Sequence, residues 1–227
     1  MIGVGETSID LSQRAQKILE MAVGLCLLLD LPVFYLKTLT WSDRTGSMRG
    51  GGGRTVPSDQ CLVLPSGDII LPKRMKERLL VDEWKPLIAS SLIYEKKLLP
   101  KLRGKAVKLI IVPTAALTAI VGVFLALTRS FWVTIPFPVG LLVLAIPPSI
   151  VLFLGLDLFT PYEKNARLQA DIEATRLVGR SFFLEVLRKI DSLGMKDVEE
   201  RKTKMAEGSS SEFPSLTERV QNLLAGT

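Results

Sequence analysis

The chemistry open to this chain is limited first by a missing residue: there is no histidine in 227 positions. Imidazole is the usual ligand of hydrolytic zinc, where two histidines one helical turn apart hold the ion. It is also the commonest general base. Neither use is available here. The adjacent hydroxyls of Ser90 and Ser91 could act as nucleophiles only if a base took the proton. Lysine does this in some hydrolases, but Lys96 and Lys97 lie at least five residues on, with no supporting motif. The two cysteines, Cys26 and Cys61, fit a reducing compartment. Cys26 falls within an apolar helical pattern and reads as a small buried hydrophobe. The glycine-rich stretch SDRTGSMRGGGGRTVPSD invites comparison with a phosphate-cradling loop. That loop needs Gly-Lys-Ser/Thr and an earlier glycine at fixed spacing, and Met48 stands where that glycine would precede Gly53. The stretch therefore reads as a flexible, solvated loop. Arg167 and Asp171, four apart on a predicted helix, can form an ion pair.

The elements that must carry these groups are dominated by two apolar runs. Residues 109–128 and 130–156 hold no charged side chain, and the hydrophobic share of the chain is 48%. Twenty residues make a helix of roughly 30 Å, the thickness of a bilayer core. Arg129 alone separates the runs, which predicts a tight transmembrane hairpin with both soluble parts on one side. Lys96, Lys97, Lys101, Arg103, Lys105 and Lys108 precede the first span, and Lys164 and Arg167 follow the second. This basic excess places both termini in the cytoplasm, integral to the cytoplasmic membrane. Phe131 and Trp132 sit where an interfacial anchor would, and Pro113, Pro136, Pro138, Pro147 and Pro148 would kink the spans. The run KKLLPKLRGK could bind nucleic acid. Beside a membrane span, the cluster Lys101, Arg103, Lys105 and Lys108 reads instead as a topology signal and a contact for anionic lipid heads, with the bilayer as partner and no nucleic acid.

The soluble parts read as mostly helical. Leu11, Ala15, Ile18, Leu19, Ala22 and Leu25 have helical spacing within residues 9–29. LPVFYLKTL reads as a short buried strand, and CLVLPSGDIILP as a β-hairpin. A helix should start at Asp82 as N-cap, with Trp84, Leu87, Ile88 and Leu92 on one apolar face. Thr160-Pro-Tyr-Glu163 has the form of a capping box opening a helix to about Val178, which Gly179 breaks. Ser181 starts another helix, with Phe183, Leu184, Leu187 and Ile190 buried. KDVEERKTKMAEGSSSE reads as mobile, and PSLTERVQNLL as a last helix carrying Leu216, Val220, Leu223 and Leu224.

In this order the pieces resemble the HtpX-like membrane zinc metallopeptidases, relatives of the CAAX prenyl endopeptidases. The likeness lies in LPVFYL, in GDIILP leading to ERLLVDEWKPLIASSLIYEKKL, in two spans, then in NARLQADIEATRLVG, FFLEVLRKI and FPSLTERVQNL. It implies a mainly α fold with a small β-hairpin element, and a two-helix transmembrane hairpin inserted in a metallopeptidase-like helical domain. Residues 1–106 would form its N-terminal half and 157–227 its C-terminal half. The hairpin would occupy 107–156, with spans at about 109–128 and 131–156.

The family's Ala-His-Glu-x-x-His helix matches Ala89-Ser90-Ser91-Leu92-Ile93-Tyr94 here. Ser90 and Tyr94 stand where imidazoles would bind zinc, and Ser91 where the catalytic carboxylate would be. The third-ligand motif, Glu-x-x-Ala-Asp, reads Arg167-Leu-Gln-Ala170-Asp171, and Phe213 replaces a histidine before the C-terminal Pro-Ser. Neutral hydroxyls are poor zinc ligands, and Arg167 would repel the ion. The resemblance thus implies a pseudopeptidase with no cofactor expected. Its role would be binding or regulation, its partners membrane-protein or peptide substrates or an active peptidase relative. Two alternatives stand beside it: an active metallopeptidase with atypical ligands, and an unrelated two-span membrane protein.

Overall fold

A computed structural model of the chain describes residues 5–31, 36–44, 55–127, 137–206 and 213–226. It is mainly helical, with a small mixed sheet. Helix α1 spans Gly5–Leu28 and is followed by strand β1, Thr38–Trp41. Strands β2, Leu62–Val63, and β3, Asp68–Leu71, form the expected hairpin. Its connection needs Gly67, whose φ of 95° is open to glycine and strained for other residues. The strand expected across LPVFYLKTL instead occupies Thr38–Trp41, and it is half-buried at best. Residues 32–35 lie outside the described residues. β1 runs parallel to β3, from Thr38 opposite Asp68 to Trp41 opposite Leu71, giving the order β1-β3-β2. A parallel pair cannot be closed by a tight turn. The long connection after Trp41 provides the crossover, so period-two patterning could not reveal it.

After β3 a tight helical turn at Asp82–Trp84 leads into α2, Lys85–Ile93. Asp82 is not the N-cap: Val81 holds that position in helical geometry with no side-chain cap. Glu83 takes over the work by accepting the Leu80 N–H at 2.5 Å and two hydrogen bonds from Lys189 Nζ at 2.6 and 2.7 Å. Nor does α2 have a single apolar face. Trp84, Leu87, Ile88, Ala89, Ser90, Leu92 and Ile93 are all buried, so the helix is enclosed by its neighbours. Each large apolar side chain so buried stabilises the fold by about 1.5–3 kcal/mol.

The helical run continues through α3, Leu99–Ala106, to α4, Val112–Leu127. Two stretches of it widen to π geometry, Tyr94–Leu98 and Val107–Ile111. Each ends two residues before a proline, Pro100 and Pro113. A proline inside a helix brings no N–H and presses its ring on the carbonyl four residues back. A wider turn just ahead of it relieves that contact. The segment Asp82–Phe124 is long and apolar enough to cross a membrane. Ile111, Val112, Ile120, Val123 and Phe124 are more than half exposed along it. Within it, Thr114 and Thr118 donate their hydroxyls to the carbonyls four residues back, at 2.7 and 2.8 Å. Each hydroxyl is thereby satisfied within its own helix. Arg129, Phe131, Trp132 and Pro136 lie outside the described residues.

Helix α5 runs unbroken over Phe137–Val178. No helix starts at Thr160, so that capping box is not used. The chain reaches Thr160 already helical, and extending a helix costs less than nucleating one. Gly179, at φ 85°, ends α5 as expected. Helix α6, Arg180–Ser192, buries Phe183, Leu184, Val186, Leu187 and Ile190. Of the segment read as mobile, Lys196–Ala206 form helix α7, with Val198 buried; residues 207–212 lie outside the described residues. Its charges are spent on ion pairs and not on solvent alone. Helix α8, Leu216–Ala225, buries Leu216 and Leu223 but leaves Leu224 half-exposed. The presumed flexible loop also ends in packed structure, because Val56 to Gln60 are buried. Residues 45–54 lie outside the described residues.

The chain divides into two compact units. One contains 1–99 with 164–227, and the other contains 100–163.

Candidate functional site

In the larger unit, three helices from distant parts of the sequence converge on one small cavity. α2 contributes Ser90 and Ser91 and the π turn continuing it contributes Tyr94, α5 contributes Arg167 and Asp171, and α8 contributes Arg219. Gln60, Leu87 and Pro214 complete the wall. The cavity volume is about 10 Å³, room for roughly one water molecule.

Asp171 lies at its centre and is buried. Ser90 Oγ donates to Asp171 Oδ1 at 2.6 Å. Arg219 grips the same carboxylate with both arms, Nε to Oδ2 at 2.7 Å and Nη2 to Oδ1 at 2.8 Å. The remaining Arg219 nitrogen, Nη1, donates to the Asp59 carbonyl and lies 3.7 Å from its side-chain Oδ2. Burial draws the Arg219 pKa down. The charge and hydrogen bonds of Asp171, with the charge of Asp59, outweigh that and hold it above its ordinary value. The anticipated partner of Asp171 was Arg167, one turn away. The guanidinium gripping it instead arrives from 48 residues on, because a bidentate approach along the carboxylate plane is a stronger contact.

Arg167 is used differently. Its guanidinium carbon lies 4.0 Å from the Tyr94 ring centre and 4.2 Å from that of Phe213. A cation between two aromatic faces gains on the order of 2 kcal/mol when partly desolvated. Ser91 faces a different neighbour. Its hydroxyl donates to the Cys61 carbonyl at 2.7 Å, while the Cys61 thiol lies 3.1 Å from Ser91 Oγ and 3.3 Å from the Leu87 carbonyl oxygen. Burial pushes the Cys61 thiol up to about 12, so at neutral pH it is a packed, protonated group. Cys26 is also raised by burial.

Charges behind the cavity wall hold residues 55–60 in place. Arg201 pairs with Asp59 and lies 3.8 Å from Asp197. Asp197 accepts the Ser58 N–H and hydroxyl at 2.8 and 2.7 Å. Arg74 joins the group by donating to the Val56 carbonyl at 2.5 Å. α8 itself begins at a capping box, with Ser215 Oγ accepting the Glu218 N–H at 3.2 Å and Glu218 reaching back to the Ser215 N–H at 2.9 Å.

These contacts determine what the site can do. Ser90 has given its proton direction to Asp171, and Asp171 has given its charge to Arg219. The Ser90 hydroxyl is tied to a carboxylate that Arg219 already grips, and the chain has no imidazole to take its proton. The donor set also does not fit a zinc ion. Zinc needs about four ligands near 2.0–2.3 Å, whereas two guanidinium groups line this cavity. Among the described residues, no three His, Cys, Asp or Glu side chains converge to hold a metal.

Sequence reasoning identified Ser90, Ser91, Tyr94, Arg167, Asp171 and Phe213, and the fold brings all six into this neighbourhood. It missed Arg219 and Asp59. A signal for Arg219 existed: it sits between Leu216 and Leu223 on the apolar stripe of an amphipathic helix, where a lone charge implies a buried partner. No protein-family model, curated protein or solved structure matches this chain.

Proposed function

We propose that this chain is a membrane-anchored relative of the HtpX-like zinc metallopeptidases, and that it has exchanged a metal centre for a salt-bridged lock. The reading rests on one observation. Ser90, Tyr94, Arg167 and Asp171, matched to a zinc site by sequence likeness, surround a single cavity filled by their own contacts and by Arg219. Such a site stabilises and binds; it does not hydrolyse. The role is to hold a membrane-protein or peptide segment, or to pair with an active peptidase relative. In this reading residues 109–128 and 131–156 form a transmembrane hairpin with both termini in the cytoplasm. The apolar stretch Asp82–Phe124 supports the first of these spans.

Elemental analysis of purified protein incubated with micromolar zinc should find no stoichiometric metal, and a chelator should change no peptide cleavage. The stronger test is restorative. The combined variant Ser90→His, Ser91→Glu, Tyr94→His and Arg167→Glu should gain measurable zinc affinity while keeping its helical circular dichroism. A folded variant with no gain would break the residue-by-residue match. Tight zinc in the unaltered protein, lost together with proteolysis on chelation, would overturn the proposal outright.

A further inference from the structure

The smaller unit has a recess of its own, about 390 Å³ in volume, lined by Lys105, Lys108, Leu109, Phe159 and Tyr162. Two helical faces make it. Lys105, Lys108 and Leu109 stand three and four residues apart and so share one side of their helix. Phe159 and Tyr162, three apart on α5, have ring centres 6.3 Å from each other. Among the described residues, no carboxylate lines the recess, and neither lysine has an ion-pair partner. Both ammonium groups are exposed, while Phe159 is half-buried. The recess therefore joins two unmatched positive charges to an apolar wall, beside a helix long and apolar enough to cross a bilayer.

We infer that this recess binds one anionic phospholipid. Its phosphate would lie between Lys105 and Lys108, and the start of an acyl chain against Leu109 and Phe159. Both halves of such a ligand meet a complementary surface here. Ammonium groups recognise phosphate as point charges, and interfacial aromatic rings accommodate the boundary between headgroup and hydrocarbon. A free phosphate would use the lysines and leave the apolar wall unfilled. The inference rests on the membrane reading above but asks for more: a specific site and not a diffuse basic belt.

Native mass spectrometry of the detergent-extracted chain, with phosphatidylglycerol or phosphatidylcholine added back, tests it. The unaltered protein should retain one phosphatidylglycerol in preference to phosphatidylcholine. Lys105→Gln with Lys108→Gln should lower that retention by roughly fivefold per lysine, about 25-fold for the pair. Lys101→Gln with Arg103→Gln, which removes the same charge outside the recess, should leave most of it. Equal losses in the two double variants would mean diffuse attraction and would overturn the site. Displacement of the lipid by millimolar inorganic phosphate would assign the recess to a free anion and overturn it too. Membrane fractionation separates the two levels of failure. A chain that sediments with membranes after carbonate washing yet shows no lipid preference defeats this inference alone. A chain that washes off defeats the membrane reading with it.

Discussion

The two cavities use charge in opposite ways. Around Asp171, every named charge meets a counter-charge or an aromatic face supplied by the chain itself, and the space left is about 10 Å³. Around Lys105 and Lys108, the cations face a recess of about 390 Å³ with no counter-charge among the described residues. A protein that closes one set of charges internally gains rigidity there. One that leaves another set open must accept the local repulsion or find its counter-charge outside. In the readings proposed above, the first cavity serves stability and the second recognition.

That contrast can be broken most directly at Arg219. Arg219→Met leaves Asp171 buried without its cation, and Asp59 with Arg201 alone; it should cost about 3–5 kcal/mol, read from denaturant melts in detergent. Pairing it with Asp171→Leu should recover part of that loss, because an apolar pair is better tolerated than half an ion pair. A loss below about 1 kcal/mol for Arg219→Met would mean that the lock is not a stability element.

Alkaline titration tests the same wall. The Cys61 thiol is raised by burial from 9.0 to about 12. Its contribution to stability is fully present below pH 9, where folded and unfolded chains both keep the proton. It is lost as pH rises towards 12, because the unfolded chain ionises first. The slope is about 1.4 kcal/mol per pH unit for one proton. Cys61→Ala should flatten this dependence, and thiol reagents at pH 8 should label Cys61 only after denaturation. Ready labelling of the native protein would show that the wall is open.

Smaller effects sharpen the comparison. Phe213→Ala removes one face of the Arg167 sandwich and should cost about 1–2 kcal/mol, judged against a desolvated cation–π contact. Lys105→Gln should change thermal stability by no more than about 0.5 kcal/mol, as expected of a surface site with no internal partner among the described residues. A large loss there would show that the lysine already has a structural role.

The sequence carried part of this picture, and one pattern shows where legibility ends. Thr160-x-x-Glu163 and Ser215-x-x-Glu218 have the same capping-box form. The first lies inside a continuous helix and caps nothing, while the second makes both reciprocal hydrogen bonds. The difference is how the chain arrives: helical at Thr160, extended at Ser215. Local sequence specifies the cap but not the approach. Likewise, spacing within α2 and α5 placed Ser90, Tyr94, Arg167 and Asp171, because helical periodicity fixes which residues share a face. The partners that close the lock, Arg219 and Asp59, come from separate segments whose meeting depends on tertiary packing. Helix α7 was hidden for a related reason: its high charge suggested disorder, yet Arg201 and Asp197 have specific partners in the segment around Ser58 and Asp59.

The Asp59–Arg219 contact also sets a clock. Its two residues are separated by 160 positions in the sequence. At a synthesis rate of about 5–20 residues per second, Asp59 emerges roughly 8–30 seconds before the arginine that closes over it. During that interval the β-hairpin and α2 exist without α8, and the larger unit cannot complete its interior. The lock therefore closes only after Arg219 has been made. The contact in the lock that spans the most sequence thus cannot form on the early part of the chain alone.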